Sequence, residues 1–234
     1  MLLYIIRHGD PDYETDTLTE RGRAQAEAVG KRLAGSGINR IFSSPMGRAR
    51  ETAEPLSRLT GIPIETEVWT HEVQDERLTT YPSGERISIS AIDNDLFRRY
   101  GDIDLKFEDA FDSRALKSTD MKRALAYISE NGRDFLSRLG YCEEDGVYRI
   151  TEPNEDRVAL FCHSVFARTW LSYLLHIPLH MMWADFIYTH TGVTVLNFEN
   201  HKSGLTAPRC LCYSDMSHLY SEGLDMIHDN RIEI

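Results

Sequence analysis

The spacing of apolar positions changes several times along the chain. LLYII (residues 2–6) is a short unbroken apolar run and predicts a buried strand. A polar loop follows, and then Ala26, Val29 and Leu33 recur at helical spacing, which predicts a helix over about 20–34 capped by Thr19. RIFSS (40–44) predicts a second strand, and residues from about Met46 to Leu59 a second helix that Pro55 bends. IPIETEVW (62–69) reads as a third strand. RVALFCHS (157–164) is a fourth and the most apolar, running into a helix, VFARTWLSYLLH, that Pro178 stops. GVTVLNF (192–198) and RCLCY (209–213) predict a closing hairpin, and GSG at 35–37 a helix stop. Strands alternating with helices predict an α/β fold: a mostly parallel, doubly wound sheet flanked by helices.

Between residues 72 and 156 the period becomes mostly helical, with helices expected near 86–100 and 119–139. That stretch holds 20 Asp/Glu against 12 Lys/Arg, a balance of −8 within a chain total of −11, whereas residues 1–60 stand at +1. The acidity therefore belongs mainly to this segment, read as a helical cap inserted at about 73–156 into a single domain spanning 1–234. A chain of 234 residues, 41% hydrophobic and 27% charged, has enough apolar material for such a domain. Net charge −11 argues against a sequence-independent grip on nucleic acid or an anionic membrane. A small-molecule or protein partner fits better. The apolar start is too short for a membrane span and no basic leader precedes it, so a cytoplasmic protein is expected. Four cysteines, Cys142, Cys162, Cys210 and Cys212, are too few for a disulfide framework and read as reduced structural thiols.

Chemistry enters where the strands end. In an open parallel sheet, ligands bind beyond the carboxyl ends of the strands. Strand one ends in Arg7 and His8. Strand two ends in Ser43 and Ser44 and delivers Arg48 in the first turn of the next helix, where backbone N–H groups favour an anion. Strand three runs into THEVQDE, with Glu72, Asp75 and Glu76; strand four ends in His163 and Ser164 at a helix start. Two arginines, two histidines and a carboxylate at one edge describe a site for phosphoryl transfer. A neutral imidazole can accept a phosphoryl group covalently. Guanidinium forks match phosphate oxygens and, beside a histidine, disfavour its protonation. The second histidine can donate to the equatorial oxygens, and a carboxyl group can protonate the leaving oxygen and then activate water.

Arg7-His8-Gly9, SSPMGRARETA (43–53), FCHS (161–164) and LTERGRAQAEAVGKRL (18–33) together resemble the motifs of the histidine phosphatase superfamily, also called the phosphoglycerate mutase-like family. The resemblance implies His8 as the phosphorylated nucleophile. Arg7, Arg48 and His163 become the phosphate site, with the Ser164 backbone N–H as a further donor, and Glu72 stands where the family's proton donor stands. The usual glycine and tryptophan after that glutamate are absent, which keeps Asp75 and Glu76 as rivals. Family spacing selects Arg48 over Arg50. The activity implied is a metal-independent phosphatase that hydrolyses a small phosphorylated metabolite, a phosphate monoester, through a phosphohistidine. The alternatives are a phosphoglycerate mutase-type phosphotransferase and an inactive binding or regulatory module of the same fold.

Several features stand outside that pattern. DPDYETDT follows the triplet where many members carry an asparagine, so Asp10, Asp12 and Tyr13 are expected at the mouth of the site. YPSGER (81–86) resembles a family turn into the cap helix, with Glu85 read as a helix-start residue. Arg98, Arg99, Lys117 and Lys122 are candidate substrate contacts from the cap. His176 and His180, separated by Pro178, read as structural rather than as a metal pair. His190, just before GVTVLNF, is either a strand cap or a residue that reaches the site, since the family often has a polar residue there. CHSVFA lacks the second glycine of a nucleophile elbow, and neither a Walker loop nor a dinucleotide fingerprint is present. With no carboxylate cluster of the Mg²⁺ type and no closed Zn²⁺ set, neither metal nor cofactor is expected.

Overall fold

The computed structural model describes residues 1–74, 78–80, 86–88, 104–113 and 116–226, with 78–80 and 86–88 described as backbone only. The described strands are β1 (Leu2–Arg7), β2 (Pro11–Asp12), β3 (Thr17–Leu18), β4 (Arg40–Ser43), β5 (Ile64–Thr66), β6 (Leu78–Thr80), β7 (Arg86–Ser88), β8 (Tyr141–Glu144), β9 (Val147–Ile150), β10 (Arg157–Cys162), β11 (Val193–Asn197), β12 (Leu205–Thr206) and β13 (Arg209–Asp215). The described α-helices are α1 (Glu20–Ala34), α2 (Gly47–Thr60), α3 (Met121–Arg138), α4 (Ser164–Leu175), α5 (Leu179–Asp185) and α6 (Ser217–Ser221). Contacts divide the chain into two compact units. The first comprises Met1–His71, Arg133–Ser164 and Tyr188–Ile234; the second comprises Glu72–Gly132 and Val165–Ile187.

The first unit is built on a six-stranded sheet in the order β13-β11-β1-β10-β4-β5. The pairs β1–β10, β10–β4 and β4–β5 are parallel, whereas β11 joins β1, and β13 joins β11, in antiparallel fashion. The sheet is thus mixed and mostly parallel with flanking helices, as the alternation of strands and helices predicts. Side-chain alternation explains the layering. Ile6, Ile41, Phe161 and Val193 face one way and pack with Val29 and Leu33 of α1 and Ala53 and Leu56 of α2. Phe42, one residue on from Ile41, faces the other way and meets Phe135 of α3 edge-on, ring centroids 5.1 Å apart.

Local signals for α1 and α2 hold in detail. The Thr19 hydroxyl accepts the N–H of Gly22 at 3.0 Å and caps α1. α2 runs through Pro55, and a Cβ on Gly30 would stand 2.8 Å from the Pro55 Cβ, so the glycine admits the proline-bearing face. The third strand is shorter than expected: after Thr66 the chain turns into a 3-10 segment, Val68–Thr70, with Val68 exposed and Trp69 buried.

Three readings of the segment 72–156 need correction or delimitation. Residues 86–88, expected at the start of a helix, form β7, which pairs with β6; the remainder of that expected helix lies outside the described residues. Residues 141–150 are a hairpin, β8–β9, extended by β12. Its turn is Asp145-Gly146, both at positive φ (49° and 82°), a two-residue connection whose twist matches that of its strands. The expected helix near 119–139 is α3. Residues 133–156 cluster with the first unit, and the second unit takes in Val165–Ile187. Within that second unit, Gly132 lets α3 pass Trp170, whose Nε1 lies 2.4 Å from where a Cβ would be.

One close approach fixes the loop after β1. A Cβ on Gly22 would fall 2.1 Å from the Asp10 carbonyl oxygen, and one on Gly9 would fall 2.7 Å from that of Gly22, so two backbones touch through paired glycines. Helix propensity alone predicts that Gly22→Ala stabilises the protein by about 1 kcal/mol. The contact reverses the sign: Gly22→Ala should destabilise by about 1–3 kcal/mol, read from urea unfolding, and an unchanged or higher midpoint would contradict it.

Candidate active site

Parallel register determines the cluster. Arg7 pairs with Cys162 and Phe161 pairs with Ser43, so His8, His163 and Ser44 each occupy the next position at the carboxyl ends of neighbouring strands. The His8 N–H continues the ladder to the Cys162 carbonyl at 2.9 Å. The His8 and His163 rings stand 5.2 Å apart between centroids. His8 is 1% exposed, and its Nδ1 lies 2.7 Å from the Gly9 carbonyl. A carbonyl only accepts, so Nδ1 carries the proton and Nε2 keeps the lone pair. Gly9 in turn donates its N–H to Thr52 Oγ1 at 3.0 Å, which ties the loop after β1 to α2.

Burial, then the charge of Arg7 and the neighbouring His163 and His190, holds the His8 pKa well below its ordinary value. His163 is likewise held well below, by burial first and then by Arg48, Arg7 and His71. Both rings are therefore neutral. Ser44 Oγ accepts the Met46 N–H at 3.3 Å and lies 2.8 Å from His163 Nε2, so the hydroxyl engages that nitrogen and Nδ1 is the ring nitrogen left over. That Nδ1 is buried and has no hydrogen-bond partner among the described residues.

Arg48 is buried on the first turn of α2 and is held from three sides. Its Nη1 pairs with Asp16, whose other oxygen accepts the Gly47 N–H at 2.7 Å; Nη2 approaches Met46 Sδ; and the Tyr13 ring lies 5.5 Å from the guanidinium carbon. Asp16 thus caps α2 and fixes Arg48 together, while Arg48 Nε stays buried without a partner among the described residues. Arg50 points elsewhere, is exposed and donates to Thr66 Oγ1 at 3.0 Å. Arg7 extends from β1 and donates from Nη1 to the Tyr188 carbonyl at 2.6 Å. His190 is 5% exposed, with its ring 5.6 Å from His8.

The first unit therefore brings together Arg7, His8, Arg48 and His163, with His190 beside them; Ser164, buried, follows His163 directly and opens α4. Glu72 belongs to the second unit and is buried there. Its Oε1 accepts the N–H of Phe166 at 2.9 Å and of Val73 at 3.0 Å, and its Oε2 that of Val165 at 3.2 Å, at the N-terminus of α4. Of the residues expected at the mouth, Tyr13 faces Arg48. Asp10 accepts from Thr19 Oγ1 at 2.8 Å, and Asp12 accepts the Glu14 N–H within its own turn. Lys117 and Lys122 are exposed, while Asp75, Glu76, Glu85, Arg98 and Arg99 lie outside the described residues. His176 is exposed and stacks on Phe107, whereas His180 is fully buried. Asp16 and Thr52 escaped the sequence reading of the site, and Ser44 was read only as the end of a strand, because each acts through a partner remote in sequence or through backbone.

Residues 3–79 and 99–209 match the profile of the histidine phosphatase superfamily (branch 1). The chain belongs to this superfamily. Among curated relatives of this chain, the probable phosphoglycerate mutase GpmB of Citrobacter koseri is 35% identical over 71 residues, 26% of this chain. The counterpart from Salmonella arizonae is 34% identical over the same length, and the match spans only 33% of the length of either relative. Solved structures with the same fold include a phosphoserine phosphatase from Entamoeba histolytica in complex with 3-phosphoglyceric acid. It has a TM-score of 0.61 and 20% identity and covers 93% of this chain and 98% of its own. A mycobacterial glucosyl-3-phosphoglycerate phosphatase complexed with VO3 has a TM-score of 0.58 and 21% identity, covering 91% and 98%. Among the described residues, no helix is long and apolar enough to cross a membrane.

The neutral, buried histidines predict a direction for acid stability. His8, His163, His190 and His218 all have pKa values lowered in the fold, that of His218 to about 4, whereas the unfolded chain protonates histidine near 6.5. Stability is complete above about 6.5 and declines as pH falls from there towards the folded values, because only the unfolded state gains the protons. The melting temperature should drop between pH 7.5 and 5.5; an equal or higher value at pH 5.5 would contradict the neutral assignment.

Proposed function

We propose that this histidine phosphatase superfamily member is a metal-independent phosphatase that hydrolyses a small phosphate monoester through a phosphohistidine on His8. The single observation that carries the reading is the Nδ1 contact of His8 with the Gly9 carbonyl, which leaves the Nε2 lone pair as a nucleophile. Nε2 attacks phosphorus as the ester P–O bond breaks. Arg7, Arg48, the Nδ1–H of His163 and the Ser164 backbone N–H hold the phosphoryl oxygens. Glu72 gives its proton to the leaving alkoxide, then takes one from the water that attacks the phosphoenzyme, releasing inorganic phosphate and free His8. Charge on the transferring group is offset by side chains, so no metal is assigned. The family match and the fold shared with phosphatases support hydrolysis. A mutase-type phosphotransferase is the second reading, favoured by the names of the partial relatives.

Turnover of a panel of phosphorylated metabolites, measured in EDTA, tests the proposal. His8→Ala should abolish it, and Arg48→Ala should cost about 100- to 1000-fold in rate, while Arg50→Ala, which loses a surface contact to Thr66, should leave it close to wild type. Loss of activity in EDTA that a divalent ion restores, or equal losses at Arg48 and Arg50, would overturn the assignment. Transfer to a second hydroxyl of the product instead of to water would establish the mutase reading.

The proton donor needs its own comparison. An aryl phosphate leaves as a weakly basic phenolate, an alkyl phosphate as a strongly basic alkoxide. In single-turnover phosphorylation, Glu72→Gln should be mildly slowed with p-nitrophenyl phosphate and strongly slowed with an alkyl ester. Equal effects on both would remove Glu72 from the role and direct the same comparison to Asp75 and Glu76.

A further inference from the structure

His190 takes no part in the mechanism above, yet the fold goes to some length to keep it beside His8. Its Nε2 is buried and has no hydrogen-bond partner among the described residues. Its Nδ1 stands 3.6 Å from Asp10 Oδ1, beyond hydrogen-bond length, so no acceptor anchors the ring proton on that side. The two other imidazoles of the cluster both have a fixed partner; His190 does not. A buried polar nitrogen left unmatched is destabilising, so a ring kept in this state points to a group that it meets only during function.

The backbone around it is strained in the same direction. Thr191, next in sequence, is fully buried and sits at φ +53°, a left-handed conformation that is unfavourable for a β-branched residue. Three sets of contacts impose it. The Thr191 N–H reaches the carbonyls of Arg7 and His8 at 3.1 and 3.2 Å; its Oγ1 lies 3.0 Å from His218 Nε2; and Gly192 admits no Cβ because Ser214 Oγ and Thr189 Oγ1 would stand 2.5 and 2.6 Å from it. A simple strand cap requires none of this. The strain turns the chain so that the residue before Thr191 faces the end of β1.

Building on the phosphatase reading, we propose that His190 is a third imidazole of the phosphoryl site, donating a hydrogen bond from Nε2–H to an oxygen of the group that His8 receives. Burial, with Arg7 and Arg21 nearby, lowers its pKa to about 2, so it serves as a neutral donor and adds no charge to the two arginines. Asp10 Oδ1 is too far from Nδ1 to accept its proton, so nothing on that side holds the proton away from Nε2. The donor contact adds to those of Arg48 and His163 without competing for their atoms.

Inorganic phosphate is the probe, because its binding needs no turnover. Titration calorimetry should show phosphate affinity about tenfold lower in His190→Leu, which keeps the volume without a donor. Affinity should be largely retained in His190→Gln, whose amide places a neutral N–H near the position of Nε2. The single-turnover phosphorylation rate should fall in the same order. Histidine ¹⁵N NMR on the wild-type protein gives the same test without a substitution at risk of misfolding: saturating phosphate should shift the His190 Nε2 resonance. Phosphate affinity in His190→Leu within twofold of wild type, equal weakening in the Leu and Gln variants, or an unmoved Nε2 resonance would each overturn the proposal. A wild-type protein that binds phosphate with this His190 dependence but forms no phosphoenzyme would overturn the phosphatase reading alone.

Discussion

Everything at the site depends on the in-register parallel pairing of β1, β10 and β4. The three strands bury side chains on both faces, so a one-residue slip would exchange the layers: Ile6 and Phe161 would leave the face shared with α1 and α2, and Leu3 and Phe42 would leave the other. Packing therefore enforces the register, and the register sets Arg7 against Cys162 and Phe161 against Ser43. His8, His163 and Ser44 follow at adjacent strand ends. Chemistry at this edge is a by-product of packing in the sheet's middle. A substitution in the apolar centre of β10 should act on the site through that register even though it touches no polar atom there.

Electrostatics then sorts the polar groups into roles. Two guanidinium groups and deep burial would make any histidine here unwilling to take a proton, and each ring's hydrogen-bond partner decides which nitrogen faces inward. The Gly9 carbonyl at His8 leaves the Nε2 lone pair, and the Ser44 hydroxyl engages Nε2 of His163. Asp16 supplies the counter-charge. By pairing with one end of Arg48 and capping α2 with its second oxygen, it holds the arginine in place through the end that Nε does not use. Glu72 binds the N-terminal N–H groups of α4, so a carboxylate expected for proton transfer also has a structural duty in its own unit.

The sequence made the strand ends legible because apolar runs, glycine punctuation and helix caps are local signals. Thr19, α1, the four parallel strands and the order of Arg7, His8, Arg48 and His163 could all be read that way. The Asp145-Gly146 hairpin carries an equally local signal, which the stronger helical periodicity of the neighbouring α3 masks. Asp16 was illegible for a different reason: its partner stands 32 residues away, and nothing in DPDYETDT distinguishes a carboxylate that grips an arginine from one that faces water. Ser44 looks like the end of a strand, although its hydroxyl meets the ring of a histidine 119 residues on. The strain at Thr191 has no sequence signature, since a buried β-branched residue before glycine reads as the start of a strand.

The central claim is that the fold fixes the proton of His8 on Nδ1 and presents Nε2 to phosphorus. Trapping the phosphoenzyme by rapid quench into base, followed by ³¹P NMR of the denatured protein and mapping of the labelled peptide, identifies the nitrogen that carries the phosphoryl group. The geometry predicts phosphorus on Nε2 of His8, in the peptide that contains His8. Phosphorus on Nδ1 of His8, or on His163 or His190, would contradict it.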